Sequence, residues 1–354
     1  EYAYNNLGRA YWADRKYDQA VDAFQKQLNV NPLDKYSHAN LGALYLEWHK
    51  YDQAAAELEK AISLNSQDPM LYVALGRAYL NLDKPDQAVT IFDHAVQLAP
   101  SPLVWNDIAY ELSLKKSHLD QAQRYAESAV ASVAAASRNI SLAQLRPQDP
   151  LVMTALAAYW DTLGWVHFAQ GDYSNAEKYV DSAWMLAQSA TVGDHLAQIY
   201  EKLGEKDRAI QTYALAMNCT RPDPETRGRL AALLGGDNKV DAIVKQAGPE
   251  LGKTRTVHLA NSDRAAGTAD LFVLLSPGEK DADGKLASRV EDVKFVSGDE
   301  KLSAFAEPLK AAKFSFFFPD AAPAKVLRRG KLTCTANADC TFALYLLEDV
   351  RSIH

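Results

Sequence analysis

No stretch of this sequence approaches the roughly 18 consecutive apolar residues that a membrane-spanning helix needs, so no transmembrane segment is expected. The signatures of phosphate cradling and of nucleophilic or metal-assisted hydrolysis are also missing. There is no G-x-G-x-x-G, no Walker loop, no G-x-S-x-G and, among eight His, no H-E-x-x-H or Cys/His spacing. Carboxylates are plentiful but fall on polar helix faces, where solvation is the default. The expectation is a non-catalytic chain with no cofactor and no metal. Basic residues are outnumbered in the first part: residues 1–250 hold 23 Lys+Arg against 31 Asp+Glu, a net of −8, and residues 251–354 hold 15 against 14, a net of +1. A nucleic-acid partner would need a basic face, so none is expected. The one short basic run, Leu327 to Lys331, reads as a solvated hairpin. The N-terminus shows no basic region, apolar run and cleavage site of a leader. It opens at the first position of a repeat, Glu1, and is expected to be a fragment or processed piece.

What the sequence has in abundance is self-similarity. Residues 1–34 carry Tyr4, Leu7, Gly8, Tyr11, Ala20, Phe24 and Pro32. Residues 35–68 carry His38, Leu41, Gly42, Tyr45, Ala54, Leu58 and Ala61, and residues 69–101 carry Tyr72, Leu75, Gly76, Tyr79, Ala88, Phe92, Ala95 and Pro100. A period of 34 with W-x2-L-G-x2-Y, then A-x3-F and a late Pro, resembles the tetratricopeptide repeat (TPR), a helical hairpin that stacks on its neighbours. Weaker copies follow at about 102–138, with one inserted residue, 151–189 and 190–222, and further helices at 223–247 are expected to cap the stack. Each position has a physical task. Gly8, Gly42, Gly76 and Gly164 allow close helix approach against a helix cost of about 0.5–1 kcal/mol. Ala20, Ala54, Ala88, Ala176 and Ala209 do the same from the second helix, and Tyr11, Tyr45, Tyr79 and Tyr200 fill the space between hairpins. Asp18, Asp52 and Asp86 are expected to cap the second helices. His38 and His167 stand at aromatic repeat positions and read as packing residues. Residues 117–138 read as one lengthened helix, 139–150 as a connector, and 151–169 as another long helix.

Beyond Gly248-Pro249 the period falls from 3.6 to 2. Strands are expected at 268–275, ended by Ser276-Pro277-Gly278, and at 288–296; a helix at 299–312 capped by Asp299; a strand at 314–318; and a hairpin of 325–334 with 340–347. This order, with Gly267 and its strand, Val296-Ser297-Gly298-Asp299 then Leu302, and the run into Lys313-Phe314, resembles the C-terminal domain of TonB-type proteins over about 255–347. The Tyr-Pro entry motif of that family is absent. The expected fold is therefore an α-α superhelix, a TPR solenoid over 1–250, followed by a small α+β module with an antiparallel sheet over 251–354. Together the two parts resemble exported bacterial TPR proteins, which implies the periplasm or envelope, with the cytoplasm as the alternative. Cys334 and Cys340 flank a turn in the last hairpin and are expected to close a disulfide, free thiols being the alternative; a zinc site lacks further ligands nearby.

The TPR resemblance also marks a groove, because positions 2, 5, 9, 12 and 13 of each first helix face inward in that family. Here they include Asn5, Arg9, Trp12, Tyr36, Arg77, Asn106, Tyr110, Asp161 and Trp165. Asn40 matches one position of the family's carboxylate clamp, but Asn5, Arg9, Met70 and Ala74 stand at the other four, so clamping of a chaperone tail is not expected. The implied function is a protein-interaction scaffold for a peptide or protein partner. A self-assembling envelope component, or the regulatory end of a larger protein with an upstream enzyme domain, is the alternative.

Overall fold

A computed structural model describes residues 2–64, 67–282, 284–319 and 324–347; Glu1 lies outside these, as does the end of the last segment beyond 347. Contacts divide the chain into two compact units, Glu1–Ala129 and Val130–His354, so the division falls inside a helix and not at residue 250 where the periodicity changes.

In the first unit the period becomes hairpins: α1 (Ala3–Ala13) with α2 (Tyr17–Val30), α3 (Lys35–Glu47) with α4 (Tyr51–Ser63), and α5 (Pro69–Asn81) with α6 (Pro85–Leu98). Then come α7 (Pro102–Leu114) and α8 (Leu119–Arg138), which runs through the division. The first helices are capped by side chains: Asp34 accepts from the Tyr36 N–H, Asp68 from Met70 and Ser101 from Val104. The second helices differ from expectation. Their N-caps are Lys16, Lys50 and Lys84 with no side-chain cap, and Asp18, Asp52 and Asp86 sit inside the first turn, where their charge favours the helix start without a capping bond.

The glycines explain the hairpin spacing. A Cβ on Gly8 would meet the Phe24 ring at 2.6 Å, one on Gly42 the Leu58 side chain at 2.6 Å, and one on Gly76 the Phe92 ring at 2.2 Å. Ala20, Ala54 and Ala88 are fully buried beside these contacts. His38 is a packing residue with a polar handle: its Nδ1 lies 2.7 Å from Glu57 Oε2.

The second unit holds α9 (Asp149–Gln170), α10 (Tyr173–Ala187), α11 (Ala190–Leu203) and α12 (Lys206–Ala216), covered by α13 (Pro224–Leu234) and α14 (Val240–Ala247) and followed by α15 (Glu250–Lys253). Tyr213, Leu230 and Val240 form the core where α13 and α14 meet α12. Six strands follow: β1 (Thr256–Leu259), β2 (Gly267–Lys280), β3 (Leu286–Gly298), β4 (Phe317–Phe318), β5 (Val326–Thr335) and β6 (Ala338–Leu344), with a 3-10 turn at Glu300–Phe305 and α16 (Ala306–Lys310) between β3 and β4. They form one antiparallel sheet in the order β1-β6-β5-β2-β3-β4. One strand is new and three expectations change here. β1 is an edge strand too short for its alternation to register. β2 runs past Pro277, because β5 begins at Val326, opposite Leu275, and no ladder bond is asked of the proline on that side. The helix expected over 299–312 is a 3-10 turn and a short helix, although Asp299 does cap it, accepting from the Lys301 N–H. The strand expected over 314–318 shrinks to two residues.

The sheet shares its core with α9 and α10. Trp160 is fully buried with Phe316 and Phe318 rings at 6.3 and 6.4 Å. Ser182 Oγ donates to the Phe317 carbonyl at 2.9 Å, and the Leu327 N–H points at Met153 Sδ at 3.0 Å. The basic run is not a solvated hairpin. Arg328 is 3% exposed and donates to the carbonyls of Leu186 at 3.0 Å and Tyr345 at 2.7 Å, so it sits at the electronegative end of α10. Burial, with Arg255 nearby, lowers its pKa to about 10, which leaves it charged at neutral pH. Arg329 pairs with Asp270 at 2.7 Å. Cys334 and Cys340 are joined by a disulfide across the β5–β6 turn.

Gly76→Ala tests the spacing argument. Alanine favours a helix by up to about 1 kcal/mol over glycine, whereas overpacking against Phe92 costs about 1–3 kcal/mol. A lower unfolding midpoint in urea is expected; a higher one would show that the close approach is not required.

Candidate functional site

Two hairpin features bring distant residues to one surface in the first unit. The first helices α1, α3, α5 and α7 succeed one another side by side, and residues four apart on a helix share a face. The pairs Asn5/Arg9 on α1 and Tyr36/Asn40 on α3 therefore look into the same space.

That space is a groove of about 730 Å³ lined by Tyr2, Asn5, Asn6, Arg9, Trp12, Tyr36 and Asn40. Asn40 Nδ2 donates to Asn5 Oδ1 at 2.7 Å, which links α3 to α1 and fixes both amides. Trp12 Nε1 donates to Glu47 Oε2 at 2.7 Å, and Tyr17 Oη donates to the other oxygen of Glu47 at 2.8 Å, so the indole is held from below. Tyr36 is 56% exposed, with the Tyr2 ring edge-on at 6.5 Å. Exposed rings beside a guanidinium and two amides combine apolar contact area with backbone-type hydrogen bonding.

A second groove of about 230 Å³ lies among α3, α5 and α7. Leu46, Met70, Val73 and Ala74 make its apolar walls, and Arg77, Asp107, Tyr110 and Glu111 its polar lining. Glu111 is largely buried; its ion contact is to Arg77 at 3.5 Å. Asp107 accepts from Asn106 Nδ2 at 3.3 Å. Burial raises both carboxyls above the ordinary range; Arg77 opposes this at Glu111, and the Asn106 hydrogen bond opposes it at Asp107.

Of the ten groove residues expected, five line the first space and Arg77 and Tyr110 line the second. Asn5 is itself only 7% exposed at the base of the first space, and the other three are buried and line neither groove. Asn106 is 8% exposed and braces Asp107 from behind. In the second unit, Asp161 and Trp165 face α11 instead of an open surface: both Asp161 carboxylate oxygens lie 3.0 Å from His195 Nδ1, and the His195 and Phe168 rings stack on Trp165 at 3.9 and 4.4 Å. His167 stacks on Tyr179, a packing role. Sequence reasoning passed over Asp107 and Glu111. Position 6 of the first helix was the available signal, since Asn6, Asn40, Ala74 and Asp107 occupy it in four successive copies and all line the grooves.

The buried carboxyl supplies a stability test. A raised folded-state pKa means the folded chain binds the proton more tightly than the unfolded chain, so ionisation of Glu111 costs stability as pH rises. Glu111→Gln is expected to raise the thermal midpoint at pH 7, the gain shrinking towards zero near pH 4, where unfolded glutamate titrates at about 4.3. A loss at pH 7, or a gain independent of pH, would contradict this.

Comparison with known proteins agrees with the hairpin geometry. Tetratricopeptide repeat profiles match residues 45–106 and, in a second variant, residues 3–36 and 194–228. No curated protein sequence matches the chain. Among solved structures, a tetratricopeptide repeat protein from Parabacteroides merdae superposes with a TM-score of 0.51 at 15% identity, over 65% of this chain and 83% of its own. PilF of Pseudomonas aeruginosa gives 0.41 at 19% identity over 60% and 89%, and the type IV pilus biogenesis factor PilW gives 0.46 at 15% over 68% and 96%. At these identities the likeness concerns the fold alone, and it rests on the first of the three. With the period, the glycine contacts and the matched segments in agreement, the helical part of this chain has the fold of a tetratricopeptide-repeat solenoid.

Proposed function

We propose that the chain is a non-catalytic protein-interaction scaffold that holds an extended peptide segment of a partner along the inner face of α1, α3, α5 and α7. The observation that carries this reading is the first groove: Tyr2, Arg9, Trp12 and Tyr36 stand around it with the Asn5–Asn40 pair at its floor. Amides held by each other can still offer donors and acceptors to a peptide backbone, and exposed rings hold apolar side chains at little entropic cost. The second groove continues the same face one repeat further. In this reading the sheet covers α9 and α10 and serves as a cap to the array, a role that fits its core shared with Trp160. The Cys334–Cys340 bond supports an exported setting, since cytosolic thiols are held reduced.

The test is selection of binders from a random peptide library on the intact chain, followed by titration of the winners against variants. Arg9→Glu and Tyr36→Ala are each expected to weaken binding roughly tenfold or more, the range of a good interface anchor. Selected peptides that bind both variants as well as the parent would place the interaction elsewhere and sink the reading.

A further inference from the structure

The second groove has a feature that a general peptide surface does not need. Its walls are apolar, yet Asp107 and Glu111, one turn apart on α7, turn two carboxylates to it. Both residues are partly buried, and a carboxylate can accept about four hydrogen bonds. Among the described residues, Asp107 takes one hydrogen bond, at 3.3 Å, and Glu111 has one ion contact, at 3.5 Å, with the charge of Lys115 also acting on it. Arg77, which makes that contact, is about half exposed and reaches Glu111 from the rim. The remaining acceptor capacity faces a slot with room for one long side chain, with Leu46 and Val73 on its walls and the Tyr110 ring beside them.

We infer that this slot is a specificity pocket for a lysine or arginine side chain of the bound peptide, its methylene stem along Leu46, Val73 and Tyr110 and its cation between Asp107 and Glu111. The inference rests on the peptide-scaffold reading and names the partner's chemistry. Such a side chain satisfies the slot at both ends: apolar wall to methylenes, carboxylates to charge. The acidic surplus of residues 1–250, 31 Asp+Glu against 23 Lys+Arg, favours the approach of a basic segment in the same direction. Arg77 competes with the incoming cation for Glu111, so it weakens the site it borders.

The experiment uses the library-selected peptides on the intact chain. Winners are expected to carry a Lys or Arg at one recurring position, whose replacement by alanine, or by acetyl-lysine, weakens binding roughly tenfold. Glu111→Gln and Asp107→Asn should each weaken the parent peptide while leaving its alanine counterpart unchanged. Arg77→Ala should tighten the parent peptide, which a merely structural role for these residues does not predict. Lysine against arginine at that position decides which cation the slot prefers. Winners without a recurring basic residue, or with one that is indifferent to Glu111→Gln, overturn the inference and leave the scaffold reading intact. Loss of binding in Arg77→Ala with no effect of Glu111→Gln also overturns it, by assigning the slot to an anionic group. No selectable peptide at all defeats both.

Discussion

The close contact between a glycine and the large side chain sixteen residues later is the constraint on which the rest of the helical structure depends. Gly8 with Phe24, Gly42 with Leu58, Gly76 with Phe92 and Gly164 with Val180 repeat it, each with no space for a Cβ. The contact sets how near the two helices of a hairpin lie. Fixed spacing, repeated at a fixed period, brings every first helix into the same orientation within a unit. Positions that mean nothing in a single helix then become a continuous surface. The grooves are thus a consequence of packing on the opposite side of the same helices.

The polar groups on that surface are held to different degrees. Asn5 and Asn40 satisfy each other, and Trp12 and Tyr17 share the two oxygens of Glu47. By contrast, Asp107 takes one hydrogen bond and Glu111 one ion contact at the second groove, and burial raises both carboxyls. Elsewhere the chain invests its buried charges in structure. Arg328 ties the sheet to the end of α10 through main-chain carbonyls, and His195 holds Asp161 beneath a stack of rings. Charges that are fully engaged hold the fold together, and charges that are not are where recognition is to be sought.

Much of the helical part was legible because its signals are local and repeated. Leu7, Gly8, Tyr11, Ala20 and Phe24 recur in register, and the helices appear where that register puts them. The caps were misread because an Asp near a helix start can act as cap or as first-turn charge, and only the backbone geometry at Lys16, Lys50 and Lys84 decides. In the sheet, local signals compete with tertiary ones. Pro277 looks like a stop until β5 is seen to begin only opposite Leu275, and Arg328 looks solvated until α10 is seen to end beside it. Repeat position alone points Asp161 and Trp165 into a groove, and the packing of α11 covers them. Asp107 and Glu111 are invisible for the opposite reason: acidic residues on a helix are ordinarily solvated, and only the fold sets them in one groove with Leu46 and Val73 of two other helices.

In the proposed function the partner lies across the inner face of the first helices. A crystal structure of the chain with a library-selected peptide would locate it. Peptide density is expected to run from Tyr36 and Arg9 towards Tyr110, in contact with α1, α3, α5 and α7. Density on the second helices α2, α4 and α6, or on the strands of the sheet, would contradict it.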